Sequence, residues 1–176
     1  MSEKTSWDVI VIGGGPAGST TARYLAEGGA DVLVVDGRDP IGTPLQCGEL
    51  VPTNEEMRRL CPKVPNIDDL LRTPEDAISR KTSEMHLVPP SGKPLRFQFE
   101  GYMLNRVAHD EALVDLAKSR GAEYLVNSRV DSIDGNTVKL RSGRELNAKV
   151  IVGAGGHNDP LRRTFWNESS LKIPVK

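Results

Sequence analysis

Residues Trp7 to Asp36 read WDVIVIGGGPAGSTTARYLAEGGADVLVVD, and the order of signals within them decides the fold. Trp7 to Ile12 is an apolar run rich in Val and Ile without polar alternation, as in a strand buried on both faces of a parallel sheet. Gly13, Gly15 and Gly18 follow in G-x-G-x-x-G spacing. Pro16 to Glu27 reads as a helix, stopped where Gly28-Gly29 supplies a left-handed cap. A second apolar strand, Asp31 to Val35, runs directly into Asp36.

Each residue type in this order has a physical task. Gly13 permits the tight turn off the strand, Gly15 lets a pyrophosphate approach the backbone, and Gly18 lets the helix pack close to the sheet. Pro16 suits a first helical turn, where its missing N–H costs nothing. The free N–H groups and the positive end of the helix then face the phosphates. Asp36 lies about 20 residues past the glycines, where a carboxylate accepts hydrogen bonds from ribose hydroxyls. An acid there disfavours a 2′-phosphate, so the expected nucleotide is FAD or NAD rather than NADP. A glycine triad alone is weak evidence; strand, glycines, helix, strand and acid in sequence point to a dinucleotide site in an α/β, Rossmann-like fold.

Working outward, the 176 residues suffice for one domain with a real core. The net charge of −1 gives no electrostatic footprint for nucleic acid. No apolar run approaches a membrane-spanning length, and MSEKTS at the start lacks the apolar core of a signal peptide, so a cytoplasmic location is expected. Cys47 and Cys61 make no disulfide framework, and His86, His109 and His157 show no metal-ligand spacing, so no metal is expected.

Gly37 to Leu50, GRDPIGTPLQCGEL, reads as a long loop leaving the second strand at the sheet edge where ligands bind. A short helix is expected over Asn54–Leu60, capped by Thr53 or Asn54, with a helical turn near Ile67 to Leu71. Thr82 to Arg106 gives two extended runs around Pro90-Ser91-Gly92-Lys93, a hairpin on which Leu95, Phe97 and Phe99 form an apolar face. Arg106 to Arg120 reads as an amphipathic helix, with Val107, Leu113, Leu116 and Ala117 inward and Asp110, Glu111, Asp115 and Lys118 outward. Glu123 to Asn127 reads as a third parallel strand. Arg129 to Ile133, Thr137 to Arg141 and Glu145 to Ala148 read as a meander, and Lys149 to Val152 as a further buried strand ending in Gly153-Ala154-Gly155-Gly156.

The segment Gly13 to Glu49, with GGGPAGSTTARYLAEGGADVLVVD followed by IGTPLQCGE, resembles the geranylgeranyl reductase family of FAD-dependent oxidoreductases, whose fold is of the p-hydroxybenzoate hydroxylase type. The glycines are shared by many flavoproteins; the QCGE loop is the more discriminating piece. The resemblance implies FAD as cofactor, with contacts from Ala17, Gly18, Asp36, Cys47 and Gly48 beside Gly13 and Gly15. It further implies that Arg106, heading its helix in NRVAHDEAL, reaches the cofactor, that the backbone of Val130 lies near the adenine, and that Cys47 stands at the reacting face of the flavin as catalytic residue. Where many relatives carry G-A-D-G, this chain carries GAGG followed by HNDPLRR, and that carboxylate is absent.

Archaeal members of the family saturate isoprenoid chains of membrane lipids. The resemblance therefore implies an isoprenoid lipid substrate and a peripheral contact with the membrane through that lipid; the sequence leaves the electron donor open among a nicotinamide, a deazaflavin and a ferredoxin. It covers the chain to about Trp166, so 1–166 is expected as the FAD-binding domain, with 82–105 a hairpin of a partial substrate sheet and 167–176 an unassigned tail. Relatives continue further, so most of the substrate domain is expected to be missing. Two alternatives share these residues: a flavin-dependent aromatic hydroxylase or halogenase of the same fold, and an inactive FAD-binding remnant.

Overall fold

A computed structural model describes residues 4–45 and 47–165, with side chains as far as residue 162. Gln46 of the QCGE loop, Trp166 and the tail 167–176 lie outside the described residues. In chain order the elements run β1 (Ser6–Ile12), α1 (Pro16–Glu27), β2 (Val32–Val35), β3 (Leu50–Pro52), α2 (Asn54–Leu60), α3 (Ile67–Leu70), β4 (Ile78–Leu87) and β5 (Leu95–Leu104). They continue with α4 (Arg106–Ser119), β6 (Glu123–Leu125), β7 (Val130–Asp134), β8 (Thr137–Leu140), β9 (Glu145–Gly153) and α5 (Pro160–Phe165). The chain divides into two compact units, one of residues 1–43 with 110–176 and one of residues 44–109.

The first unit is built on a six-stranded sheet in the order β6-β2-β1-β9-β8-β7. Strands β6, β2, β1 and β9 pair in parallel, and β8 and β7 continue the sheet antiparallel. The apolar runs of β1 and β2 follow from burial on both faces. Ile10, Ile12, Leu33 and Val35 join Val138, Leu140 and Leu146 in one cluster. Val9, Val11, Val32 and Val34 join Ala22 of α1 and Ala117 of α4 in the other. Each such aliphatic side chain contributes about 1.5–3 kcal/mol of burial, so this double-sided core is what fixes the strand ends that carry the site.

Two expectations are corrected here. The last meander strand and the buried strand after it are one continuous β9. Its first half pairs antiparallel with β8, Thr137 opposite Asn147, and its length from Asn147 to Gly153 pairs parallel with β1. No Gly or Pro stands within residues 145–152 to break it. In α4 the inward face is set by Val114 and Ala117, with Val107, Leu113 and Leu116 only half-buried. Asp110, expected outward, is 4% exposed. A buried carboxylate on a helix needs a cation, and Asp110 acts electrostatically on Arg38.

The second unit holds a three-stranded antiparallel sheet in the order β3-β5-β4. β3 pairs with the end of β5, Leu50 opposite Met103. Helix α2 has the expected bounds because Thr53 caps it, its Oγ1 accepting the Glu56 N–H at 3.2 Å. Beyond β3 the hairpin continues as a two-stranded ribbon with register Met85 opposite Phe97 and Leu87 opposite Leu95. Those four side chains share one face, while Glu84, His86, Arg96 and Gln98 share the other. The expected apolar face is thus present, but it is exposed, with Leu95 at 64% and Phe97 at 41%.

Candidate functional site

The turns after β1, β2 and β9 come together at the carboxyl edge of the first unit's sheet, where open α/β folds bind ligands. The Gly13 N–H donates to the Val35 carbonyl at 2.8 Å, and the Ala154 N–H donates to the Ile12 carbonyl at 2.8 Å. Gly13 has φ +103°, and a Cβ on it would run into the Ala154 carbonyl and the Gly155 Cα. A Cβ on Gly18 would run into the Gly13 carbonyl oxygen. Both glycines are therefore required by the protein's own packing.

Gly15 is different. Its φ of −66° suits any residue, and the nearest atom to a Cβ built there is Arg38 Nη2 at 3.9 Å. The protein leaves open the space that a side chain would fill. Gly15 is the N-cap of α1, no side chain caps the helix, and Pro16 follows at the first position. The first-turn donors, with Ala17 exposed above them, are left to a ligand. An open cradle over an uncapped helix start fits the pyrophosphate of a dinucleotide.

Behind the cradle runs a buried polar chain that the sequence reading missed. Tyr124 OH on β6 donates to Ser19 Oγ at 2.9 Å, and Ser19 Oγ donates to the Gly14 carbonyl at 2.8 Å. Ser19 is fully buried, and burial pushes the Tyr124 hydroxyl up to about 12, only partly offset by its hydrogen bond to Ser19. The chain fixes the glycine turn from the core side.

Asp36 follows directly on β2 beside this turn, and its carboxylate is fully engaged. Oδ2 accepts the Gly14 N–H at 2.7 Å and Arg38 Nη2–H at 2.8 Å. Oδ1 accepts the Arg38 backbone N–H at 2.8 Å and Arg38 Nε–H at 2.9 Å. Burial alone would raise this carboxyl; the bonds from Arg38 and from the Gly14 N–H outweigh it and hold Asp36 below the usual carboxylate range. Asp36 is therefore an anion under a guanidinium fork. Arg38, which the sequence reading passed over, is held as a cation by Asp36 first and Asp110 further away.

Val130 begins β7 after a connection that runs alongside Asp36, since Ser128 N–H donates to the Asp36 carbonyl at 2.9 Å and Asp36 N–H to the Leu125 carbonyl at 3.1 Å. Arg129 packs on Gly37, its Cγ 2.6 Å from where a Cβ would stand. The structure thus brings Gly13, Gly15, Ala17, Gly18, Asp36 and Val130 to one edge. Cys47, Gly48 and Arg106 belong to the second unit. Cys47 is exposed, and its Sγ accepts the Glu49 N–H at 3.3 Å where Glu49 turns at φ +63°. Gly48 has open space around it. Arg106 opens α4, whose start is capped by Asn105 Oδ1 accepting the Ala108 N–H at 3.2 Å.

The turn after β9 carries a further carboxylate. Asp159, 6% exposed, accepts the Gly155 N–H at 2.5 Å and the Leu161 N–H at 2.8 Å. The G-A-G-G segment lacks its acid in the chain order of many relatives, yet Asp159 places one against the same turn. The signal was available as an Asp-Pro step opening α5. Among the described residues, no group of three His, Cys, Asp or Glu side chains is arranged to hold a metal.

The family described as FAD dependent oxidoreductase matches residues 8–60, which hold the glycines and Asp36. An uncharacterized protein in the nifH2 5′ region of Methanosarcina barkeri is 35% identical over 167 residues, covering 93% of this chain and 90% of that one. A digeranylgeranylglycerophospholipid reductase of Methanosarcina acetivorans is 32% identical, covering 96% of this chain and 42% of the reductase. A geranylgeranyl bacteriochlorophyll reductase-like structure from Thermoplasma acidophilum superposes with a TM-score of 0.70 at 29% identity, over 84% of this chain and 38% of that one. The chain thus spans less than half the length of these two reductase relatives.

Proposed function

Because the chain belongs to the geranylgeranyl reductase family of FAD-dependent oxidoreductases and spans its N-terminal portion, we propose that it is the nucleotide-binding part of a reductase of isoprenoid carbon–carbon double bonds in lipid biosynthesis. The observation that carries this reading is the open Gly15 cradle beside an ionised Asp36, within a chain that matches such reductases along 96% of its length. Gly13 and Gly18 shape the turn, the Gly15 to Gly18 backbone holds the pyrophosphate, Asp36 holds the ribose, and Val130 backs the adenine. The family resemblance assigns further cofactor contacts to Arg106 and Gly48.

The chemistry that a bound flavin supplies is hydride delivery to one carbon of the double bond. The other carbon needs a proton, and Cys47 is the group assigned to give it. The proposed substrate is an apolar chain with a polar head, which the protein meets at the membrane surface from the cytoplasm. Among the described residues no helix is long and apolar enough to cross a membrane.

The test is to complete this chain with the C-terminal portion of a full-length reductase relative, load the intact enzyme with FAD, reduce it chemically and present a geranylgeranyl lipid. The reading expects products heavier by two hydrogens per saturated bond in the mass spectrum. Unchanged lipid from a flavin-loaded, fully reduced protein overturns it, and oxygen uptake stimulated by a phenol points to the hydroxylase alternative instead. A Cys47→Ala variant is expected to retain flavin and lose most turnover; full turnover removes Cys47 from the reaction.

A further inference from the structure

The carboxylate expected to bind ribose has no free lone pair. Its four hydrogen bonds use both oxygens twice, which is the capacity of an ionised carboxylate. Two of the four come from backbone N–H groups of Gly14 and Arg38, which the end of β2 and the glycine turn fix in place. The other two come from the Arg38 guanidinium, on a side chain that is 37% exposed while the Asp36 side chain is 5% exposed. A ribose diol needs two acceptors on Asp36. It obtains them only by replacing the guanidinium.

The guanidinium also stands at the other half of the site. Its Nη2 is the atom nearest to the open space over Gly15, at 3.9 Å from a Cβ position there. That space lies over the uncapped start of α1. A guanidinium released from Asp36 therefore finds the pyrophosphate beside it, in the charge-assisted geometry that arginine forms with phosphate.

We infer that Arg38 is an exchangeable latch on the nucleotide site, occupying the ribose carboxylate until a ligand brings both a ribose to displace it and a phosphate to receive it. This rests on the dinucleotide reading of the site. Its consequence is a specificity that the glycine turn and Asp36 alone do not supply. Adenosine must break the Arg38 fork and offers nothing in return. ADP breaks the same fork and re-pairs the cation, so ribose recognition and phosphate recognition are coupled through one side chain.

The experiment is calorimetric titration of adenosine, ADP and FAD into the purified full chain and into Arg38→Ala and Arg38→Lys variants, each first checked for a cooperative melt. Wild type is expected to bind ADP and to bind adenosine far more weakly. In Arg38→Ala the preference for ADP over adenosine collapses by roughly 10- to 100-fold, the worth of a charged hydrogen bond, with adenosine binding tighter than in wild type and ADP weaker. Arg38→Lys keeps a cation for Asp36 and for the phosphate but lacks the two-pronged fork. It is expected to gain adenosine affinity while keeping most of its ADP affinity, and it remains informative if the alanine variant does not fold. Wild type binding ADP, with the ADP-to-adenosine ratio the same in both variants, overturns the latch and leaves the nucleotide site standing. Wild type binding neither ADP nor FAD overturns the nucleotide site and the latch with it.

Discussion

Replacing Gly15 by Ala separates what the fold needs from what the ligand needs. The new Cβ would have no protein atom nearer than Arg38 Nη2 at 3.9 Å, an ordinary van der Waals distance, and φ of −66° is open to alanine. Two small backbone effects act in opposite directions. Gly→Ala at a compatible φ stabilises by about 0.4–1 kcal/mol through the unfolded chain, and alanine is a poorer N-cap than glycine by roughly half a kcal/mol or more. The folded protein should therefore change by about 0.5 kcal/mol or less. Nucleotide binding should change far more, because the methyl group stands where a phosphate oxygen meets the helix start. Losing one hydrogen bond to that charged oxygen costs about 1.5–3 kcal/mol, or roughly 10- to 100-fold in affinity. Urea unfolding and ADP titration on the same preparation read the two quantities. A variant that binds ADP like wild type refutes the argument, since no phosphate would then approach Gly15.

Gly18→Ala should behave oppositely: its Cβ runs into the Gly13 carbonyl, so the strand–turn–helix join must open, at about 1–3 kcal/mol or more in urea unfolding. Tyr124 gives a pH signature. Its hydroxyl titrates near 12 in the fold against 10.0 ordinarily, so between those values the unfolded chain has lost a proton that the folded chain keeps. Stability should fall as pH rises through that window, by up to about 2–3 kcal/mol, and Tyr124→Phe should remove this part of the slope at a neutral-pH cost of about 1 kcal/mol. Leu95→Ser, at a position 64% exposed, should leave the melting behaviour nearly unchanged, within about 0.5 kcal/mol, and reduce aggregation measured by light scattering.

The legible parts of the sequence were those governed by local rules. Helix α1 has the bounds that Pro16 and Gly28-Gly29 dictate, and α2 those that Thr53 and its cap dictate. The glycine triad marked the turn between β1 and α1, which the structure builds from two tightly packed glycines and an open one. What escaped depends on partners distant in sequence. The three residues of β3, ending in Pro52, become a strand only because β5 lies beside them. Asp110 reads as a solvent-facing residue on a helical wheel, and only the fold brings Arg38 near enough to act on it. Asp159 reads as an acid four residues late, and its place against Gly155 follows from how α5 leaves β9. Arg38 was two residues from the expected acid, yet an arginine in a Gly-Arg-Asp-Pro loop carries no periodicity that would mark its fork on Asp36.

The central claim is that this chain holds a dinucleotide by its adenine and pyrophosphate half. Equilibrium titration of FAD, followed by competition with ADP and with riboflavin, tests it most directly. The account predicts that FAD binds, that ADP displaces it, and that riboflavin, which lacks the adenine half, does not. Failure of both FAD and ADP to bind a folded chain, or displacement of FAD by riboflavin and not by ADP, would contradict it.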